Sequence, residues 1–291
     1  MLKTVVRLLA SGIVLTLAAP AGAQSPPAKT MGAPAPLLAI YREEVRPGKG
    51  AAHAVNETAW AAAFAKAQAP AHWLGMTSIA GPSEAWFLEA HDSYAGFEKT
   101  QQAVEDNAAL RAESDKFSSV DGDLLSRSST IIARYRPALS YQPDVTLPQM
   151  RFMSVDVVRV NPGRVGEFME VWRDIVEAHK KSTMAEHWAV YQVDSGMADA
   201  TFLFFYPRKS LAEVDEAGPA HGAASYRDAM GEGGRAKSRA MSETAVNFSQ
   251  TYVFRLSPAM STLPASWSEA DPFWNRPAAV TAQSGKTAKK K

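Results

Sequence analysis

Two His-Trp pairs are the first residues in this 291-residue chain that could carry chemistry. His72-Trp73 and His187-Trp188 lie 115 residues apart, and the dipeptide occurs nowhere else in the sequence. An imidazole can hydrogen-bond or transfer a proton near neutral pH, and an indole offers a flat apolar surface. The repeated pair predicts a ligand pocket with quasi-twofold symmetry, and simple core packing of the same residues remains the alternative.

Tyr41 and Asp156 occupy equivalent positions on the predicted first strand of each copy. Side chains alternate between the two faces of a strand. If this face points inward, a buried Asp156 has a raised pKa that suits proton abstraction. If it points outward, both side chains are solvated or covered by a helix. The residues of this face are Leu37, Ala39, Tyr41 and Glu43 in the first copy, and Phe152, Ser154, Asp156 and Val158 in the second.

His53 and Glu57 form a further candidate group, one turn apart on a predicted helix. An inward-facing pair of this kind can bind a metal ion or orient a base. The stretch 51–65 is so rich in alanine, however, that the helix can equally turn the pair outward. Glu89 and His91 share one face of a later strand, but two ligands are too few for a metal centre. We therefore expect no metal site.

His221 is a histidine of the second copy alone, and Glu105 stands at its counterpart position. A residue present in one copy suits a single active site in a duplicated chain, and it equally suits a surface histidine on a glycine-broken helix. The candidate catalytic residues are His187, Asp156 and His221, and the candidate ligand-binding residues are His72, Trp73, His187, Trp188, Tyr41 and Asp156.

These candidates are positioned by an internal duplication. Each copy predicts a strand, a Pro-Gly turn, a helix, a β-hairpin, a second helical region and a final strand. The first helix of the second copy is the clearest element, because apolar residues from Val165 to His179 follow the spacing of one helical face. Beyond the His-Trp pairs, Val45, Pro47, Gly48 and Lys66 recur as Val160, Pro162, Gly163 and Lys181.

The order β-α-β-β-α-β places both helices on one face of a four-stranded sheet and leaves the other face bare. Two copies can bury those faces against each other. We predict an α+β fold of two tandem ferredoxin-like β-α-β-β-α-β units, packed sheet to sheet as an intrachain pseudodimeric α+β barrel. The expected segments are a signal peptide at 1–23, a flexible leader at 24–36, the first unit at 37–140, a linker at 141–149, the second unit at 150–261 and a C-terminal tail at 262–291.

The composition excludes several function classes. A net charge of +1 with interspersed acids and bases gives no basic surface for nucleic acid. The absence of cysteine excludes disulfides, thiolate ligands and thiol nucleophiles. We find no phosphate loop, dinucleotide fingerprint, nucleophile elbow or zincin helix.

The N-terminus predicts export. Lys3 and Arg7 precede an apolar stretch from Leu8 to Ala19, and Ala21-Gly22-Ala23 provides small residues for cleavage after Ala23. The apolar stretch is too short for a transmembrane helix, and no second long one follows. We expect a periplasmic or secreted protein without a transmembrane segment.

The unit order and the strand-Pro-Gly-helix openings at Val45 to Lys49 and Val160 to Arg164 resemble the dimeric α+β barrel superfamily over residues 37–261. This group includes antibiotic-biosynthesis-type monooxygenases, stress-responsive barrel proteins and the NIPSNAP proteins. The resemblance implies a cofactor-independent monooxygenase, in which a pocket base ionises a phenolic or quinol substrate. His221 resembles a histidine of barrel monooxygenases and haem-degrading relatives.

The leading hypothesis is a non-catalytic binding protein that holds a small apolar or aromatic molecule between its sheets, with no cofactor required. It would be a monomeric pseudodimer or a weak homo-oligomer. The alternatives are the oxidoreductase and a haem-binding barrel, for which His72, His187 and His221 are the possible axial ligands.

Overall fold

A computed structural model describes residues 33–275, apart from the side chains of residues 217–221. The predicted signal peptide and most of the leader therefore lie outside the described residues. No helix among those described is long and apolar enough to span a membrane.

The first half contains β1 (Leu37–Val45), α1 (Gly50–Lys66), β2 (Trp73–Ala80), β3 (Glu84–His91), α2 (Tyr94–Glu105), α3 (Ala108–Leu124) and β4 (Leu125–Tyr135). The second contains β5 (Phe152–Val160), α4 (Val165–Ser182), β6 (Ala189–Ser195), β7 (Thr201–Arg208), α5 (Ala212–His221), α6 (Ala224–Thr244) and β8 (Val246–Leu256), followed by α7 (Ala265–Ala270).

The eight strands form a closed antiparallel barrel in the order β1-β3-β2-β8-β5-β7-β6-β4. Two seams join the halves, where β2 pairs with β8 and β4 pairs with β6. The predicted fold class is confirmed, with the second helical region of each half divided into two helices. As expected from the sequence, Gly48 and Gly163 close the turns before α1 and α4 at φ values of 77° and 82°.

Side chains on one face of every strand fill the barrel interior. On β1 these are Leu38 and Ile40, so the alternate residues Tyr41 and Glu43 point outward under the helices. This settles the face that the sequence left open, and it places Asp156 outside the barrel as well. The interior holds a dense cluster that includes Met76, Trp86, Met153, Val155, Leu203, Tyr252 and Phe254.

A polar group sits within this interior on the first-half side. Arg42 donates from Nε and Nη2 to the two carboxylate oxygens of Glu84, at 2.7 and 2.6 Å. Trp86 Nε1 donates to Glu84 Oε2 at 2.7 Å, and Tyr252 OH lies 3.3 Å from Oε1. The buried Glu84 is therefore neutralised by a guanidinium and further held by two aromatic donors.

The C-terminal segment folds back onto the barrel. Trp274 joins the interior cluster, and its Nε1 donates to the carbonyl of Pro148 at 2.7 Å. Trp267 packs edge-on against it, with ring centroids 5.0 Å apart. These aromatic residues cover part of the barrel. The lysines at the end of the chain lie outside the described residues.

Candidate functional site

The first His-Trp pair lies at a seam rather than in a cavity between the sheets. His72 is exposed, just before β2, and its Nδ1 lies 3.1 Å from the carbonyl oxygen of Thr262. Trp73 Nε1 donates to the carbonyl of Met260 at 2.8 Å. The backbones of the two segments form a β-bridge between Trp73 and Thr262. The pair therefore attaches the first half to the segment that follows β8.

The second pair makes the reciprocal attachment. Trp188 is buried, and its Nε1 donates to the carbonyl of Leu139 at 2.7 Å, in the segment that follows β4. Trp188 also forms a β-bridge with Tyr141. His187 Nε2 lies 2.7 Å from the carbonyl oxygen of Pro207. Trp73 and Trp188 thus make equivalent contacts at the two seams, whereas His72 bonds to Thr262 across a seam and His187 bonds to Pro207 of its own half.

The remaining candidates lie in the helix layers. Asp156 is half-buried under the second-half helices, where it accepts a hydrogen bond from Thr251 Oγ1 at 2.6 Å. Burial raises the pKa of Asp156, and hydrogen bonds from Thr251 and Tyr206 oppose that rise. The side chain of His221 lies outside the described residues. Glu105 is exposed on α2.

A cavity of about 630 Å³ opens between the outer face of the first-half sheet and helices α1, α2 and α3. Tyr41 and Trp73 line it, and these are the two predicted ligand-binding residues found in its wall. The aromatic part of the lining comprises Trp60, Phe64, Trp73 and Phe87, and the acidic part comprises Glu43, Glu57, Glu89 and Asp121. The cavity is therefore aromatic at one part of its surface and carboxylate-rich at another.

Tyr41 belongs to a small polar network in this wall. Its hydroxyl donates to Glu89 Oε2 at 3.0 Å and accepts from Gln101 Nε2 at 3.0 Å. Burial and the neighbouring Glu89 raise the pKa of Tyr41 far above its ordinary value. His91 Nε2 lies 3.6 Å from the same carboxylate oxygen. Tyr41 is therefore a neutral hydrogen-bonding group rather than a base.

Three titratable side chains meet at the floor of the cavity, between β1 and α1. His53 Nε2 lies 2.7 Å from Glu43 Oε2 and 3.9 Å from Glu57 Oε1. Burial raises the pKa of Glu43, and the hydrogen bond to His53 opposes that rise. The pKa of Glu57 is raised to about 9, first by burial and then by the charges of Glu43 and Asp121. The protonation of Glu57 is therefore linked to the charge of Glu43 within a buried site.

The orientation of α1 produces this cluster. Its buried residues are His53, Asn56, Glu57, Ala61 and Phe64. The buried face of α4 includes Phe168, Val171, Val176 and His179 at matching positions. The His53-Glu57 pair found by its spacing therefore does face inward. Its third member, Glu43, was visible only as part of a strand face whose direction the sequence did not determine.

The equivalent layer of the second half is filled. Val158, Phe168 and Trp172 occupy the positions of Glu43, His53 and Glu57 in the repeat. Phe168 packs on Phe202 with ring centroids 4.8 Å apart, and Trp172 packs on Phe204 at 4.4 Å. The polar cluster and its cavity therefore belong to one half of the duplicated fold.

Comparisons with known proteins give likenesses of structure alone. No protein-family model and no curated protein matches the sequence. A proposed monooxygenase from Fusobacterium nucleatum is 15% identical, with a TM-score of 0.48 over 77% of this chain and 93% of its own. An anthrone oxidase-like protein is 11% identical, with a TM-score of 0.49 over 76% and 91% of the two chains.

A mutant chlorite dismutase from Candidatus Nitrospira defluvii is 7% identical, with a TM-score of 0.45 over 78% of this chain and 94% of its own. None of these three likenesses reaches a TM-score of 0.5. They assign no activity to this chain, and the function is inferred below from its own residues.

Proposed function

We propose that the cavity of the first half binds a small aromatic molecule that donates hydrogen bonds and carries no negative charge. The observation that carries this proposal is the cavity of about 630 Å³ beside a packed barrel and a filled second-half layer. Pockets for small molecules have volumes of about 300–1,000 Å³. The sequence predicts a ligand between the two sheets. The ligand position proposed here lies instead between the first-half sheet and its helices.

The aromatic wall supports a flat, apolar ligand. Phe64 and Trp73 meet edge to face with ring centroids 5.0 Å apart, and Trp60 lies 5.8 Å from Phe64. The indole nitrogen of Trp73 is already engaged by the carbonyl of Met260, which fixes the ring. Rings held in this way present rigid apolar surface at low entropic cost.

The charges of the lining support a ligand that donates hydrogen bonds. Four carboxylate side chains face the cavity, and three of them, Glu43, Glu57 and Glu89, are largely buried. Arg127 is the one guanidinium among the lining residues, and its side chain is 68% exposed, with Glu44 at 3.9 Å. A carboxylate ligand would meet further carboxyl groups here, whereas a hydroxyl group would find acceptors.

The predicted signal peptide supports a place of action outside the cytosol. Its residues, 1–23, lie outside the described part of the chain, so this remains a prediction. N-terminal sequencing of protein recovered from the periplasm or the medium should begin at Gln24, and a chain that starts at Met1 would contradict it.

The binding proposal is tested with metal-free protein in the presence of a chelator. Tryptophan fluorescence is titrated with 2-naphthol, and 2-naphthoate serves as a probe of similar ring size with a negative charge. We expect saturable binding of 2-naphthol and at least about tenfold weaker binding of 2-naphthoate. Equal binding of both compounds, or of neither, contradicts the proposal.

A matched pair of variants locates the site. Ser114 lines the cavity from α3, a helix whose buried side also carries Leu110 and Phe117. Ser114→Phe should fill the cavity and abolish 2-naphthol binding, while Ser114→Ala should retain it. A Ser114→Phe variant that folds and binds normally would place the ligand elsewhere.

A further inference from the structure

The buried group formed by Glu43, His53 and Glu57 has the ligand types of a metal centre. Their donor atoms all lie within 4.8 Å of one another. An imidazole nitrogen with two carboxylate oxygens is a set that zinc and similar first-row transition ions accept. Two of the ligands come from one turn of α1 and the third from β1, so the backbone already holds them together.

An independent observation points to a missing ligand. Glu57 is 6% exposed, and its Oε1 has no hydrogen-bond partner among the described residues. The nearest charged donor is His53 Nε2, which lies 3.9 Å away and is engaged by Glu43 at 2.7 Å. A buried carboxylate oxygen without a partner is unfavourable, because it has lost its hydrogen bonds to water and gained none in return.

The distances between the three donor atoms are close to those found around a bound metal ion. Ligand atoms about 2.0–2.2 Å from a tetrahedral zinc ion lie about 3.3–3.6 Å from one another. The observed 2.7 and 3.9 Å fall on either side of that range and all three donor atoms lie within 4.8 Å of one another, so side-chain movements of about an ångström would bring them into it. In the part of the chain described, no lysine or arginine forms an ion pair with these three residues.

We propose that Glu43, His53 and Glu57 bind one divalent first-row transition-metal ion of the zinc class. Glu43 and Glu57 line the cavity, so the remaining coordination position faces it. Three protein ligands with one open position are typical of a site that binds a water molecule or a substrate. Asp121 lies nearby and accepts from Asn56 Nδ2 at 2.7 Å, which holds it as an outer acceptor beside the site.

The second half provides an internal comparison. Val158, Phe168 and Trp172 offer no oxygen or imidazole ligand at the matching positions. The proposal therefore requires one ion per chain, although the fold is duplicated.

The test uses the chain without an affinity tag, treated with chelator and then dialysed. Calorimetric titration with zinc chloride should give one site per chain, and cobalt should give the intense visible absorption of a tetrahedral site. Zinc should also raise the Tm. The absence of a Tm shift or of a stoichiometric site in this protein would overturn the proposal.

Glu57→Gln removes a ligand and keeps the shape of the side chain. It should weaken zinc binding by more than about tenfold, because even the loss of an outer partner costs about 10–100-fold. In chelator it should melt no lower than the original chain, since a neutral Glu57 suits this buried site, but it should lose the zinc-induced rise in Tm. Glu43→Gln provides a second variant, and Glu177→Gln, exposed on α4 beside Lys180, is the control.

Unchanged zinc affinity in both ligand variants would overturn the site, and so would an equal loss in Glu177→Gln. This titration contains no organic ligand, whereas the 2-naphthol titration contains no metal. Failure of one proposal therefore leaves the other separately testable.

Discussion

The two helix layers of the barrel show how a duplicated scaffold comes to differ between its halves. In the second half, Phe168 and Trp172 of α4 fill the space above the sheet with closely packed aromatic rings. In the first half, His53 and Glu57 of α1 occupy those positions beside a cavity. The same backbone thus supports a packed core in one copy and a polar site in the other.

The barrel interior repeats this asymmetry. Arg42 and Glu84 of the first half form their ion pair at positions that Val157 and Thr201 occupy in the second. Buried ion pairs contribute little net stability, whereas filled apolar layers contribute much. The second half is therefore expected to supply more of the stability, and the first half the chemistry.

The largest expected effect tests the filled layer. Phe168→Ala should lower the free energy of unfolding by about 3–5 kcal/mol, because Phe168 is 1% exposed and its neighbours cannot close the space. Trp172→Ala should cost somewhat less than that, since Trp172 is half-buried. Urea unfolding measures both. A loss below about 1 kcal/mol for Phe168→Ala would mean that this layer is not the stabilising half.

An intermediate effect is expected from the ion pair inside the barrel. Glu84→Gln should cost about 2–3 kcal/mol, because Arg42 and Trp86 lose a charged acceptor. The double change of Arg42→Met and Glu84→Leu should recover much of that loss, as paired apolar replacements do. Unfolding in urea again provides the measurement. A double variant less stable than Glu84→Gln would show that the pair itself stabilises the first half.

The remaining prediction concerns the pH dependence of stability, measured on metal-free protein. Glu57 has a pKa near 9 in the folded chain and near 4.5 when unfolded, so the folded state binds more protons between these values. Its contribution to stability is present below about pH 4.5 and is lost as the pH rises through about 9. Glu43, His53 and Asp121 lie around it, and the charges of Glu43 and Asp121 raise its pKa further. Glu57→Gln should flatten the fall in Tm over this range, and an unchanged slope would contradict the assignment.

The fold was predictable because the duplication and the strand alternation are explicit in the sequence. The face of β1 that points into the barrel was not predictable from the sequence. Leu37 and Ala39 are as apolar as Leu38 and Ile40, because both faces of this strand are buried, one by the barrel and one by helices. The sequence consequently left open whether Tyr41 points into the barrel or toward the helices.

The site was predictable only in part. The spacing of His53 and Glu57 identified two of its members, but the alanine-rich α1 has little amphipathic pattern to fix its rotation. Glu43 joins them through the tertiary fold alone. The His-Trp repeat predicts a ligand site, and this stays a prediction. Trp73 lines the cavity, and Trp73 and Trp188 have equivalent roles at the two seams.

Closure of the barrel has a consequence for the order of events during folding. The first half alone would have two open sheet edges, β2 and β4, and open edges invite pairing with other chains. The partner of β2 is β8, the last strand of residues 33–275, which brings Leu256 beside Met76. Pairing across such a sequence separation is slow. The protein therefore remains open to misassembly until the chain has been synthesised as far as β8, which completes the barrel.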